Sequence, residues 1–260
     1  MKVAFVFSGI IKELDKTTEI FQRKIEEFNA DVYASFWDIE NPEEGDTIEN
    51  FKNNFNPKQL EIENWNAWKN STWDIIKPEV QAPSDLFLPG QETTSKGSSF
   101  AMWYKMWRSN LLTKLNPEPY DVVVRLRTDL ILSDWFTPKV NKYLNIPHGT
   151  VYIPNWKNCY GPHDFIAYGN PYIMDIYNSI FLYATRYLKE GVSTYIPENI
   201  LRYHLGHFDI QVRYYGDRIL LRDGGNIGRD NPTEGDIIKS TLPYINDTQD
   251  PTKTFFKSRV

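Results

Sequence analysis

Cysteine is almost missing from this chain. Cys159 is the single one among 260 residues, so no disulfide can close within the chain and an oxidising compartment is not implied. Long apolar runs are missing too, and none approaches the roughly 18 residues that a membrane-spanning helix requires. The stretch Val3 to Ile11 follows one lysine, is short and lacks a small-residue cleavage site, so it reads as a first buried strand, not a signal peptide. A cytoplasmic location is the expectation, and the sequons at Asn70 and Asn246 then carry no weight. There is no basic excess: 29 Lys and Arg stand against 34 Asp and Glu, a net charge of −5. That argues against a surface devoted to nucleic acid or anionic lipid. Histidine is scarce. His204 and His207 are spaced i, i+3 without a carboxylate at matching spacing, so solvent-facing helix-end residues are expected there, not metal ligands.

Aromatic side chains are plentiful, and most are expected to fill a core, with a minority free to meet a sugar. Lys2 to Phe7 is a near-continuous apolar run, as in a parallel strand covered on both faces. An amphipathic helix over Asp15 to Asn29 follows, with Ile20, Phe21, Ile25 and Phe28 on one side. Asp31 to Trp37 reads as a second strand, and this opening predicts a layered α/β sheet. Short helices are expected near 47–55 and 65–77. Pro89 to Ser99 reads as a surface loop, Ser98 or Ser99 as the cap of a helix over Phe100 to Leu115, and Asn116-Pro117 as its stop. Tyr120 to Leu132 is the clearest strand. Further strands are expected at Thr150–Pro154, Asp164–Tyr168 and Phe208–Tyr215, and helices at Pro171–Lys189 and Glu198–Leu205. One domain over residues 1–221 and an irregular tail over 222–260 complete the organisation.

The feature richest in chemistry is Arg125-x-Arg127-x-Asp129. On one continuous strand, Val123, Arg125, Arg127 and Asp129 would share a face. Three charges on such an apolar strand are costly unless paired or bound to something. They also fall near its C-terminal end, where open α/β sheets place ligands. A carboxylate beside two guanidiniums can hold a divalent cation while the arginines offset a diphosphate. A structural Arg–Asp pair would use the same residues, and the second arginine favours the ligand reading. Ser8-Gly9-Ile10-Ile11-Lys12 is a second candidate. A glycine at a strand-to-helix turn admits a ligand to the backbone, and Lys12 could meet a phosphate, although an ordinary tight turn has the same sequence. Neither a P-loop nor a G-x-G-x-x-G is present. The third candidate, Asp164 within Gly161 to Gly169, could accept a proton from an acceptor hydroxyl, bind sugar hydroxyls, or cap a turn.

Taken in order over about residues 1–215, these motifs resemble a family of bacterial and viral GT-A-type glycosyltransferases that act on surface polysaccharides. The resemblance is carried by FSGIIK, Phe36-Trp37-Asp38, MWYKMWR, YDVVVRLRTD, GPHDFIAYG and Pro197-Glu198-Asn199-Ile200-Leu201. It implies a single Rossmann-like GT-A domain, with a mostly parallel central sheet flanked by helices. It also implies a nucleoside-diphosphate-sugar donor, a carbohydrate acceptor, and Mn2+ or Mg2+. Asp129 would stand at the last carboxylate of the family's Asp-x-Asp metal motif, with Arg127 in place of the first. Ser8, Gly9, Lys12, Arg125 and Arg127 would bind the donor, Lys12 standing where relatives tend to carry arginine, and Asp164 and Asp129 would serve catalysis. The 85–97 loop would be a candidate lid. A sugar nucleotidyltransferase and a non-catalytic carbohydrate-binding protein are the rival readings.

Overall fold

In the computed structural model the described residues are 1–80, 96–132, 149–154, 161–162, 164–191, 196–215 and 220–221. The tail 222–260 and most of the 85–97 loop lie outside them. Strand β1 (Val3–Gly9) leads through helix α1 (Leu14–Phe28) to β2 (Asp31–Trp37), then α2 (Ile48–Phe55) and β3 (Gln59–Glu63). Helix α3 (Trp65–Trp68) continues through a π turn at Lys69–Trp73 into α4 (Asp74–Ile76). Helix α5 (Lys96–Leu112) precedes β4 (Val122–Leu126) and β5 (Leu130–Ile131), and β6 (Thr150–Pro154) and β7 (Ala167–Gly169) come next. Helices α6 (Pro171–Asn178), α7 (Ile180–Lys189) and α8 (Pro197–His207) lead to β8 (Gln211–Tyr215) and β9 (Leu220–Leu221).

Seven strands form one sheet in the order β3-β2-β1-β4-β7-β6-β8. Strand β7 runs antiparallel to both neighbours, and the other pairings are parallel. The fold is therefore α/β, with a mostly parallel sheet between helical layers. Side-chain alternation sorts each strand between two cores. Val3, Phe5 and Phe7 join Phe21, Phe51 and Phe55 under α1 and α2. Ala4, Val6 and Val123 join Trp103, Met106, Tyr177 and Leu201 under α5, α6 and α8. Phe7 packs edge-on against Phe21 and Phe51, with ring centroids 5.0 and 5.4 Å apart, a preferred geometry for aromatic quadrupoles.

Several local expectations are corrected. Ser98 and Ser99 lie inside α5, which begins at Lys96. The expected helix over 171–189 breaks at Ser179, whose hydroxyl donates to the Ile176 carbonyl at 2.8 Å and so competes with the helix ladder. Strand β3 was not expected, because QLEIE carries alternating charge, as an edge strand does. The strand expected over 120–132 ends at Leu126. After a turn at Thr128–Asp129 the chain forms β5, which pairs with β9 in a separate two-stranded ladder.

Candidate functional site

Strand β1 steps to β2 and β3 on one side, while β4 pairs with its other side. The order thus reverses between β1 and β4, and in open α/β sheets the crevice outside the carboxyl ends at such a switch point is where ligands sit. Two of the sequence candidates flank that crevice. Gly9 ends β1 with φ +112, and open space lies where a side chain would project, so glycine relieves the backbone there. Lys12 follows, half-buried, and its amide donates to Thr128 Oγ1 at 2.9 Å. Thr17 Oγ1 donates to the Thr128 carbonyl at 2.8 Å. These two bonds pin the turn after β4 to the segment after β1, with the Lys12 main chain against Thr128, the residue between Arg127 and Asp129. Thr128 was not singled out in the sequence, where the charges of Arg127 and Asp129 on either side draw attention from it.

Because β4 ends at Leu126, the three charges do not share a strand face. Arg127 donates from Nε to Asp129 Oδ1 at 2.8 Å and from Nη2 to Oδ2, a bidentate pair. Its guanidinium also lies 4.9 Å from the centre of the Phe165 ring. The side chain of Arg127 is 27% exposed and that of Asp129 4%, so the cation is reachable from solvent and the carboxylate is buried. Arg125, by contrast, is 0% exposed. Its Nη1 donates to the Phe165 carbonyl at 2.6 Å, and its Nε and Nη2 have no partner. Burial lowers its pKa to about 10, so it remains charged at neutral pH. In this arrangement Arg125 is enclosed.

Asp164 and Phe165 form a bend ahead of β7. The Asp164 carboxyl is 6% exposed. Burial pushes its pKa up, while the charges of Arg125 and Arg127 pull it back. No ion pair joins Asp164 to either arginine. The start of the turn is fixed by a close approach: a Cβ on Gly161 would lie 2.3 Å from the Glu198 carbonyl oxygen in the first turn of α8. Glu198 is thereby near, and its carboxyl is raised by burial and by the Asp164 charge. The buried Tyr177 hydroxyl feels both Arg125 and Asp164.

The start of α1 is already satisfied from within. Asp46, buried, accepts from the amides of Glu13 at 3.1 Å and Leu14 at 2.8 Å, filling the position where an anion would dock on the helix end. Any phosphate held near Lys12 is therefore held by its ammonium and not by that helix end. Nothing in the acidic, Asn-rich stretch around Asp46 marked it beforehand. Ser8 does face the interior at 3% exposure, and its hydroxyl has no partner.

The donor set does not fit a divalent cation among the described residues. Both oxygens of Asp129 are taken by Arg127, and no group of three or more His, Cys, Asp or Glu is placed to hold a metal. The expectation for the histidines is half corrected. His207 is exposed, but His204 is fully buried, with Nε2 2.7 Å from the Ile176 carbonyl and Nδ1 3.0 Å from the Tyr187 hydroxyl. It is a core residue. A second buried charge, Lys105, meets Glu63 at 2.6 Å and lies 4.3 Å from the Trp37 ring, so the basic residues of MWYKMWR brace α5 against β2 and β3. Asp38 accepts from the Trp65 amide at 2.8 Å and serves the start of α3.

No family model and no curated protein matches this chain. Solved structures that share parts of its fold include the following three. Mouse xyloside xylosyltransferase 1, apo form, has a TM-score of 0.42 at 10% identity, over 83% of this chain and 85% of that one. Core-mannan synthase A (CmsA/Ktr4) of Aspergillus fumigatus, Mn/GDP form, has 0.42 at 13%, over 82% and 72%. A putative glucose-1-phosphate thymidylyltransferase of Bacillus anthracis, in complex with a sucrose, has 0.36 at 8%, over 85% and 89%. Likenesses this distant carry no inference about activity. Among the described residues no helix is long and apolar enough to cross a membrane.

Proposed function

We propose that this chain is a GT-A-type glycosyltransferase that moves a sugar from a nucleoside-diphosphate sugar to a carbohydrate hydroxyl. The observation that carries the proposal is the joining of two cationic turns at the β1–β4 switch point, through the bond from the Lys12 amide to Thr128 Oγ1. In this reading Lys12 and Arg127, on the two turns that this bond joins, supply charge to a leaving diphosphate. Charge that develops on the leaving group is best met by cations already in place. The ordered motifs of the sequence favour the same reading.

Asp164 is the group suited to the acceptor. A buried carboxylate with a raised pKa is a better proton acceptor than a solvated one, and two nearby guanidiniums keep it from rising without limit. In this role it orients the acceptor hydroxyl and takes its proton as the glycosidic bond forms. Mn2+ or Mg2+, if bound, would neutralise diphosphate charge. The described residues do not form such a site.

Thermal stabilisation by UDP, GDP, CMP and dTDP, with Mn2+ and with chelator, tests this reading. A ligand that binds only the native state raises the unfolding midpoint in a concentration-dependent way. A shift with at least one nucleoside diphosphate is expected. If no nucleotide shifts the midpoint and an oligosaccharide alone does, the chain is a carbohydrate-binding protein and the proposal fails.

A further inference from the structure

The guanidinium of Arg125 presents an edge that nothing satisfies. Nε and Nη2 form the side-on fork of an arginine, the edge with which Arg127 holds Asp129 two residues later. On Arg125 both atoms of this edge are buried without a hydrogen-bond partner, although Nη1 is used. A buried charge is normally paired, because an unpaired one forfeits its hydration. Ser8 adds a second unsatisfied group. Val6 stands in register with Arg125 across β1 and β4, and Ser8 lies two residues further along β1 on the same face. The Ser8 hydroxyl is also buried and unpartnered. A fork of two N–H donors with a hydroxyl on the adjacent strand matches an oxyanion, which accepts bidentately from a guanidinium.

We infer that Arg125 Nε and Nη2 and Ser8 Oγ form an oxyanion subsite on the floor of the switch-point crevice, and that its occupant is a phosphoryl group. The occupant's identity as the terminal phosphoryl of a nucleoside diphosphate rests on the glycosyltransferase reading; the subsite itself does not. In the arrangement described here the fork is covered. The bend at Asp164–Phe165 is tied to the opposite edge of Arg125 by the Nη1 bond, and the Arg127 guanidinium lies against the Phe165 ring. Because both atoms of the fork are buried, a ligand reaches them only after their cover is displaced.

The test measures unfolding midpoints against inorganic phosphate and pyrophosphate, and calorimetric affinities for UDP, UMP, GDP and GMP, in wild type, Arg125→Met, Arg125→Lys and Ser8→Ala. Without phosphate, Arg125→Met is expected to melt several degrees higher than wild type, because an apolar side chain replaces an unsatisfied buried charge. Phosphate should raise the wild-type midpoint saturably and leave that of Arg125→Met unmoved. The variant should bind the diphosphate that wild type prefers about tenfold more weakly, with its monophosphate unaffected. Arg125→Lys, which keeps the charge but not the fork, should resemble Arg125→Met, and Ser8→Ala should fall between. Equal phosphate responses and equal diphosphate affinities in wild type, Arg125→Lys and Ser8→Ala overturn the subsite even if Arg125→Met does not fold. Nucleotide binding that survives all three variants leaves the glycosyltransferase reading standing without the subsite. A phosphate response that depends on Arg125, with no nucleotide bound by wild type, keeps the subsite and removes that reading.

Discussion

Arg125 and Phe165 are joined by one hydrogen bond of 2.6 Å, from a guanidinium with no exposed surface to a main-chain carbonyl. The bond links two sequence motifs that lie forty residues apart. From the other side, Arg127 covers the Phe165 ring. Successive arginines thus grip the carbonyl and the ring of the residue after Asp164. The R-x-R spacing is explained by this clamp: one arginine is inside the sheet, the next outside its end.

Lys12→Ala should weaken nucleoside-diphosphate binding by about tenfold, the scale of one charged hydrogen bond, with little change in the unfolding midpoint. Arg127→Gln should weaken binding similarly and also destabilise, since it leaves the buried Asp129 carboxylate without its cation. The partial exposure of Arg127 reduces that cost to about 1–3 kcal/mol. Calorimetric titration and urea unfolding of both variants separate the two effects.

Asp46→Ala should lower stability by about 1–2 kcal/mol, because two amides at the start of α1 lose their acceptor. Asp46→Asn should recover part of the loss. Urea unfolding curves measure both, and an unchanged midpoint in Asp46→Ala would show that water replaces the carboxylate without cost.

His204 gives the protein an acid-sensitive core. Burial lowers its pKa to about 4 from an ordinary value of 6.5. The unfolded chain therefore binds the proton first as pH falls from 6.5 towards 4, and native stability declines across that window. The slope from this group approaches about 1.4 kcal/mol per pH unit. Unfolding midpoints at pH 7 and pH 5 should differ less in His204→Gln than in wild type.

Gly161→Ala should destabilise by about 1–3 kcal/mol, since the new methyl meets main chain and not a movable side chain. The turn ahead of Asp164 would have to retreat from α8. A loss of acceptor-dependent turnover that exceeds any loss of donor affinity would place the damage at Asp164, and equal losses would place it elsewhere.

How much of this was legible beforehand follows from what each signal depends on. Strands β2 and β6 and helices α1 and α8 were visible because apolar periodicity reports burial directly. The break at Leu126 was not, because Leu130, Ile131 and Leu132 resume the apolar run after Arg127-Thr128-Asp129, and the turn at 128–129 and the pairing of β5 with β9 are what separate them from the sheet. The segment after β1 is legible as a strand-to-helix turn, but the sequence places Arg127 and Asp129 inside a strand, and the joining of the two turns through Thr128 needs the β1–β4 register. The depth of Arg125 was also hidden. Alternation told which way it points, but not that α6 and the Asp164–Phe165 bend close over it. His204 was misjudged because the end of α8 is packed against α6 and α7, through Ile176 and Tyr187, a tertiary contact without a local mark.

The small β5–β9 ladder has a kinetic consequence. The stretch that leaves the Arg127–Asp129 corner finds its strand partner roughly ninety residues downstream, at Leu220–Leu221. So distant a contact closes late and slowly, whereas β1, α1 and β2 can assemble from neighbours in the chain. During synthesis, the β5–β9 pairing can form only after every strand of the seven-stranded sheet has emerged.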